Sequence, residues 1–339
     1  MKLYCGMDIH SSTTHVAIMD ETRKRLIDRK LRNDRKLILN FLEPYRANLE
    51  GIVVESTYNW YWLVDALQEA GYRVHLAHPV ANQQYRGLKH LDDRHDAFWL
   101  AELLSLRILR EGYIYPKPLR SVRDLLRKRL QLVRYRTALI LSVKNMVLRN
   151  EGVLVEASQI KRLTQDVVAP VLKGDEALAL SGRTSKEVID CLTRQIQQIE
   201  RWVLQRIRLE EPFLKLLTLP GVGEILALTI LLETGPIERF PKVGHYASYC
   251  RLVSSQWTSN QKIKGQGNVR NGNRYLAWAY SEGSEHARRY DGACRDFYNR
   301  KLNQSGINVA HKALAHKLAR AAYFILRDHG LYQEDKMFS

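Results

Sequence analysis

The first eighty residues hold five short apolar runs in an order that few folds accept. Leu3, Cys5 and Met7 are spaced by two, as on one face of a strand; Val16 and Ile18 follow, then a third run around Leu26 and Leu31. These three read as a strand meander. A fourth run, Ile52-Val53-Val54, ends at Glu55, a helical stretch from Asn59 to Ala70 stops at Gly71, and a fifth strand covers Val74 to Ala77. Three strands first, then helix and strand in alternation, predict an α/β sheet of mixed strand direction, the order of an RNase H-like fold.

At 339 residues the chain exceeds what one compact core usually holds, so two or three domains are expected. Asp93 to Arg110 reads as a helix with acids in its first turn, and Tyr115-Pro116-Lys117-Pro118 marks a boundary. Beyond it Ser121-x-x-Asp124 looks like a capping box opening a long helix that runs towards Asn150. A second capping box, Thr184-x-x-Glu187, announces another helix, on which Ile189, Leu192, Ile196, Ile199 and Val203 recur at spacings of three and four. That seam suits a dimeric coiled coil, favoured here because Arg206 and Arg208 at its end are poor company for a closed core; an amphipathic helix packed on the basic one within the chain is the alternative. After Pro212 the chain is small, glycine-rich and basic. Leu219-Pro220-Gly221-Val222-Gly223 before an apolar helix, Ile225 to Leu232, resembles the hairpin of a helix-hairpin-helix unit, in which Gly221 and Gly223 let backbone amides approach a phosphate. The terminal helix, Asn308 to Asp328, is alanine-rich and is assigned mainly to the core. The expected division is 1–115, 116–212 and 213–339.

Charge narrows the partner. Lys and Arg number 53 against 36 Asp and Glu, a surplus of +17 that points to a polyanion, nucleic acid first. Between Lys117 and Arg149 ten cations, among them Arg123, Arg127, Lys128, Arg129 and Arg134, face Asp124 alone. Hydrophobic residues at 45% exclude disorder, and four scattered cysteines without a CxxC pair exclude a zinc site or disulfide scaffold, reading as reduced packing residues. An early aspartate and the lack of a long apolar window argue against secretion and membrane insertion, so a cytoplasmic protein is expected.

Two constellations carry chemistry. Asp8 in the first strand, Glu55 at the end of the fourth, and Asp93 with Asp96 at a helix start are placed for a metal site on such a sheet, the last two on one helix face. Clustered carboxylates hold hard divalent cations, usually Mg²⁺, as phosphodiester chemistry requires. Asp8 has the best individual case, because a carboxylate in an apolar strand costs several kcal/mol unless paired or metal-bound; Asp92 rivals Asp93. The second constellation runs from Gln256 to Asn268 and on to Arg274. It holds no acid, and it sets serines among Lys262, Lys264, Arg270 and Arg274. A hydroxyl there can attack phosphorus, or merely donate to a phosphate from a basic loop; the residues alone do not choose among Ser254, Ser255 and Ser259. The eleven histidines are read as structural or phosphate-contacting.

Gly6-Met7-Asp8-Ile9-His10, Val53-Val54-Glu55-Ser56-Thr57, Asp93-Arg94-His95-Asp96-Ala97, Leu219 to Gly223, Gly235 to Phe240, Trp257 to Asn260 and Gly272 to Ala279 together resemble the DEDD transposases of the bacterial insertion-sequence one-ten family, eleven-eleven subgroup, over nearly the whole chain. The resemblance implies a RuvC-like N-terminal domain, a coiled-coil middle and a C-terminal transposase domain. It further implies that Asp8, Glu55, Asp93 and Asp96 bind Mg²⁺ and that Ser259 forms a covalent phosphoserine with DNA. A noncoding guide RNA pairing with donor and target DNA, and dimers assembling to tetramers, are likewise implied; base pairing would then supply sequence while cations hold backbones. Ala97 favours Asp93 over Asp92 within the family pattern. The alternatives are a RuvC-like nuclease using metal-activated water and a non-catalytic nucleic-acid-binding protein.

Overall fold

The computed structural model describes residues 1–78, 81–82, 93–163, 175–207, 211–254, 256–266 and 271–338. Asp92, Arg208, Ser255 and Arg270 lie outside the described residues. The described chain divides into two compact units, Met1–Lys117 and Pro118–Ser339.

In the first unit the strands are β1 (Leu3–Ile9), β2 (Thr13–Asp20), β3 (Arg25–Arg32), β4 (Leu49–Glu55) and β5 (Val74–Ala77), and the helices α1 (Arg35–Leu42), α2 (Tyr61–Glu69) and α3 (Asp93–Ser105). The sheet order is β3-β2-β1-β4-β5, antiparallel from β3 to β1 and parallel from β1 to β5. This is the mixed RNase H-like sheet expected from the order of apolar runs. Strand parity sorts its two faces. Leu3, Cys5, Met7 and Ile9 pack with Ile38, Leu42 and Leu63 of α1 and α2, while Ala17 and Met19 of β2 pack with Ala97, Phe98 and Ala101 of α3 on the other. The even residues of β1 therefore look towards α3. Gly6 makes that contact possible, since a Cβ there would lie 1.9 Å from the Ala97 carbonyl oxygen and 2.8 Å from the Ala101 nitrogen.

The second unit comprises α4 (Lys117–Glu151), α5 (Ala157–Arg162), α6 (Glu176–Ile207), α7 (Glu211–Leu216), α8 (Glu224–Thr234), α9 (Val243–Tyr249), a hairpin of β6 (Gln256–Ser259) and β7 (Lys262–Gln266), then α10 (Arg274–Tyr290), α11 (Gly292–Ser305), α12 (Ile307–Asp328) and α13 (Glu334–Phe338). Both long helices start earlier than their sequence signals. Pro118 sits in the first turn of α4, where a missing N–H costs nothing, so Ser121 lies inside the helix. The α6 start is held by Asp175, whose Oδ1 accepts from the Leu178 amide at 3.0 Å, and Thr184 falls two turns in. Of the seam residues, Ile189 packs with Ile140, Val143 and Val147 of α4, and Val203 joins the large core formed by α8, α10 and α12. Cys191 is exposed and so is not a packing residue; Cys5, Cys250 and Cys294 are buried.

Gly221 is held at φ +73 with its α-carbon pressed to α10: a Cβ would meet the Gly283 carbonyl oxygen at 2.2 Å and the Ala287 nitrogen at 2.4 Å. No helix among the described residues is long and apolar enough to cross a membrane.

Candidate active site

The β1–β4 register brings the first two acids side by side. Met7 pairs with Val54 in parallel strands, so Asp8 and Glu55 follow at the same level, and parity turns both towards α3, as Val53 is turned onto Leu100. Asp8 is buried, its side chain 5% exposed. Helix α3, seated on Gly6, delivers Asp93 and Asp96 from its first turn. His10, two residues beyond Asp8 and one past the end of β1, bridges the group. Its Nε2 lies 3.0 Å from Asp8 Oδ2 and 3.2 Å from Asp93 Oδ1. Lys30 Nζ donates to Asp93 Oδ2 at 3.3 Å.

The carboxylates feel one another. Burial, then a hydrogen bond with Asp8 and the charges of Asp8 and Asp96, push the Glu55 carboxyl up to about 7, against a small opposing effect of His10. Burial also pushes Asp93 up, but Lys30 and His10 together outweigh it and hold its carboxyl below the ordinary value. One atom each from Asp8, His10 and Asp93 lies within 4.8 Å of the others, close enough to share an ion. The donors are mostly carboxylate oxygens, the ligand type a hard divalent cation takes, and a Glu55 that keeps its proton towards neutrality marks a cluster short of positive charge. The site fits such a cation.

His10 was missed as a site residue from sequence. The signal that finds it is the period of β1 carried one residue past its end: a polar residue at i+2 from a buried acid leaves the strand towards the same side.

The second constellation forms a hairpin at the surface of the second unit. Ser259 ends β6 and pairs across the ribbon with Lys262, the first residue of β7. Asn260 and Gln261 between them both have positive φ, 50° and 59°, as primed two-residue turns require. Ser259, Lys262 and Lys264 are exposed. The neck of the hairpin is pinned. The Asn273 amide donates to the Tyr249 carbonyl at 2.6 Å, and Arg251 Nε donates to the Gly272 carbonyl at 3.0 Å. Gly272, at φ +91, has no room for a Cβ, which would sit 2.4 Å from the Tyr249 oxygen.

Asn273 caps α10 by accepting from the Tyr275 and Leu276 amides, and its Nδ2 donates to Glu233 Oε2 at 2.7 Å. Glu233, buried in the largely apolar α8, also receives a bidentate pair from Arg127, Nε to Oε1 at 2.6 Å and a terminal nitrogen to Oε2 at 2.7 Å. Arg127 stacks 4.6 Å from the Tyr275 ring centroid; although burial opposes its charge, Glu233 raises its pKa above the ordinary value. An acid near the C-terminal end of a largely apolar helix, far from the first turn where Glu224 sits, is the signal that would have found Glu233, by the argument applied to Asp8.

The other sequence-named cations divide by environment. Arg123 is buried, 3.7 Å from Asp124, and Arg129 pairs with Glu200 of α6 at 2.6 Å. Lys128, Arg134 and Arg274 are exposed. Gly223 is the N-cap position of α8 with open space around it, whereas Gly221 is committed to helix contact.

An RNase H-like sheet with acids gathered at the carboxyl ends of two parallel strands and at a helix start defines the class, a DEDD-type enzyme acting on nucleic acid. The family model of DEDD transposases of the IS110 group matches residues 5–149, and that of the transposases of the IS116/IS110/IS902 family matches residues 214–299. Among curated relatives, a "Probable family 20 transposase" of Pseudomonas aeruginosa is 26% identical over 284 residues, 80% of this chain and 82% of the relative. The transposase for insertion sequence element IS1111A of Coxiella burnetii is 27% identical over 255 residues, 71% and 68% of the two chains. The transposase for insertion sequence element IS1328 of Yersinia enterocolitica is 28% identical over 141 residues, 40% and 41%. The chain belongs to the IS110 family of transposases. Membership in a DEDD family implies use of a divalent metal and DNA as substrate.

Proposed function

We propose that this transposase moves its own element as an RNA-guided DNA recombinase, cutting and rejoining strands through a phosphoserine at Ser259 and using Mg²⁺ held by Asp8, Glu55, Asp93 and Asp96. The observation that carries the reading is the convergence of those acids with His10 on one sheet face. A cation bound there supplies Lewis-acid stabilisation of charge on the attacked phosphate. His10 orients Asp8 and Asp93, and Lys30 offsets the charge of Asp93 until the cation arrives.

Ser259 is the nucleophile. Its Oγ forms a bond to phosphorus and loses its proton to a base as the bond to one sugar oxygen breaks; that oxygen leaves and is protonated. Rejoining runs the exchange in reverse with a new strand's hydroxyl. Lys262, directly across the ribbon, and Lys264 clamp the phosphate and lower the cost of the alkoxide. The exposed cations Lys128, Arg134 and Arg274 bind donor and target DNA and the noncoding guide RNA through their backbones, with Arg270 assigned to the same role from sequence. In this reading Gly223 offers amides to a phosphate, and the buried Arg123 with the half-buried, ion-paired Arg127 and Arg129 hold up the elements that carry the exposed cations. Exposed Leu141 and Leu148 on α4 and Leu180 and Val188 on α6 support assembly through a helical, coiled-coil-like middle into dimers and then tetramers.

Trapping a protein–DNA adduct tests the mechanism. Wild type with guide RNA and Mg²⁺ should yield a covalent adduct that Ser259→Ala loses, while Asp8→Asn and Glu55→Gln abolish recombination yet still bind DNA. An adduct that persists in Ser259→Ala removes the phosphoserine; recombination surviving in either acid variant removes the metal site.

A further inference from the structure

Helix α12 has a second face that its alanine-rich core side does not explain. Ala310, Leu314, Ala315, Leu318, Ala319 and Ala322 are buried in the large core. Lys312, His316, Arg320 and Phe324 recur every four residues along the outer side, a stripe about 18 Å long at 1.5 Å per residue. Its lower end opens into a cleft of about 440 Å³ between α12 and α13. Lys317, Arg320 and Lys336 line that cleft together with Arg327, which is already paired with Asp328, the one carboxylate there, Nε to Oδ1 at 2.6 Å. Phe324 lies among them, 37% exposed, with the Arg327 guanidinium 4.8 Å from its ring centroid.

Like charges so close oppose one another. Burial and then Arg320, Lys317 and Lys312 depress the His316 pKa, and burial and then Arg320 depress that of Lys317. A solvated surface gains nothing by crowding cations beside an exposed aromatic ring. A single polynucleotide strand suits both features at once: its phosphates complement the net positive rim, and an unstacked base finds a π surface and a guanidinium plane. The cleft is concave, whereas a flat basic face would suit duplex backbone alone.

We propose that the α12–α13 cleft is a binding site for single-stranded nucleic acid, phosphates on Lys317, Arg320 and Lys336 and one base against Phe324. It is separate from the basic helix α4 and the Ser259 hairpin, and it involves no chemical step. The strand is either the guide RNA or DNA opened during exchange, and the two share the recognised chemistry.

Fluorescence anisotropy of the full-length protein in EDTA, with a labelled 20-nucleotide DNA strand, the same sequence as RNA, and the DNA duplex, tests this across a salt series. Lys317→Gln with Arg320→Gln should weaken single-strand binding about tenfold and flatten the slope of log affinity against log salt by about 1.4, roughly 0.7 per lost phosphate contact. Phe324→Ala should cost single strands about tenfold and the duplex much less. A larger loss with RNA assigns the guide strand, and a larger loss with DNA assigns the opened substrate. The conservative pair Lys317→Arg with Arg320→Lys should keep the slope. If the double variant melts lower than wild type, Arg320→Gln alone, at an exposed position, should still flatten the slope by about 0.7. Unchanged slopes with all three probes, or polyglutamate competing as well as the oligonucleotides, would overturn the assignment. Since EDTA silences catalysis, failure here leaves the phosphoserine reading intact, and loss of that reading leaves this binding intact.

Discussion

In the proposed metal site, Glu55 exchanges a proton for the cation. With its carboxyl raised to about 7, protons compete with the cation below that pH, so apparent Mg²⁺ affinity should rise with pH from 6 to 8 and level off above. Calorimetric titration of the wild type against Glu55→Gln checks this; a pH-independent wild-type affinity would contradict it. The sign for folding is opposite. A carboxyl whose folded pKa lies above its unfolded one, here 4.5, stabilises the fold at low pH, and that contribution fades as pH rises through about 7. Metal-free protein should therefore melt at a lower temperature at pH 8 than at pH 6. Asp8 and Glu55 were legible as a pair because each ends or interrupts an apolar run. His10 was not, because histidine at a strand end reads as packing until the neighbouring acid's face is known.

At the scale of elements, close backbone contact decides where side chains arrive. Gly6→Ala forces a methyl into the Ala97 carbonyl and must lift α3 from β1, carrying Asp93 and Asp96 away from Asp8. Chemical denaturation should show a loss of about 1–3 kcal/mol or more, and Mg²⁺ binding should weaken even where the variant stays folded. A retained metal affinity would mean that α3 can be displaced without harm. Glu233→Gln strands the half-buried Arg127 charge, and urea unfolding should show a cost of about 3 kcal/mol; Glu233→Gln with Arg127→Met should recover most of it. The strands of the first unit were readable because period two and short turns leave one arrangement. Helix starts were not: Pro118 looks like a breaker until it is seen in a first turn, and Asp175 outcompetes the more recognisable Thr184 box. The Arg127 pairing is invisible to composition, since a run of cations reads as a wet surface whether or not a carboxylate 106 residues away has claimed one.

Across the whole molecule, each unit has a core of its own, the first built on β1, β4, α1 and α2 and the second on α8, α10 and α12. Scanning calorimetry should resolve two transitions. Mg²⁺ should raise only the one belonging to residues 1–117, because a ligand stabilises only the fold that binds it, and Asp8→Asn should erase the rise. A shift of both transitions together would show that the units melt as one. The charge surplus was legible at this scale, as was the sheet; the allocation of cations between solvent and buried pairs was not. The two-residue turn at the hairpin tip has one further effect. Ser259 and Lys262 are cross-strand partners, so they emerge on the same side of the ribbon, and Thr258 emerges on the other. A hydroxyl moved by one place along β6 would look away from its ammonium, however small the displacement. What aims this hydroxyl is odd or even, not near or far.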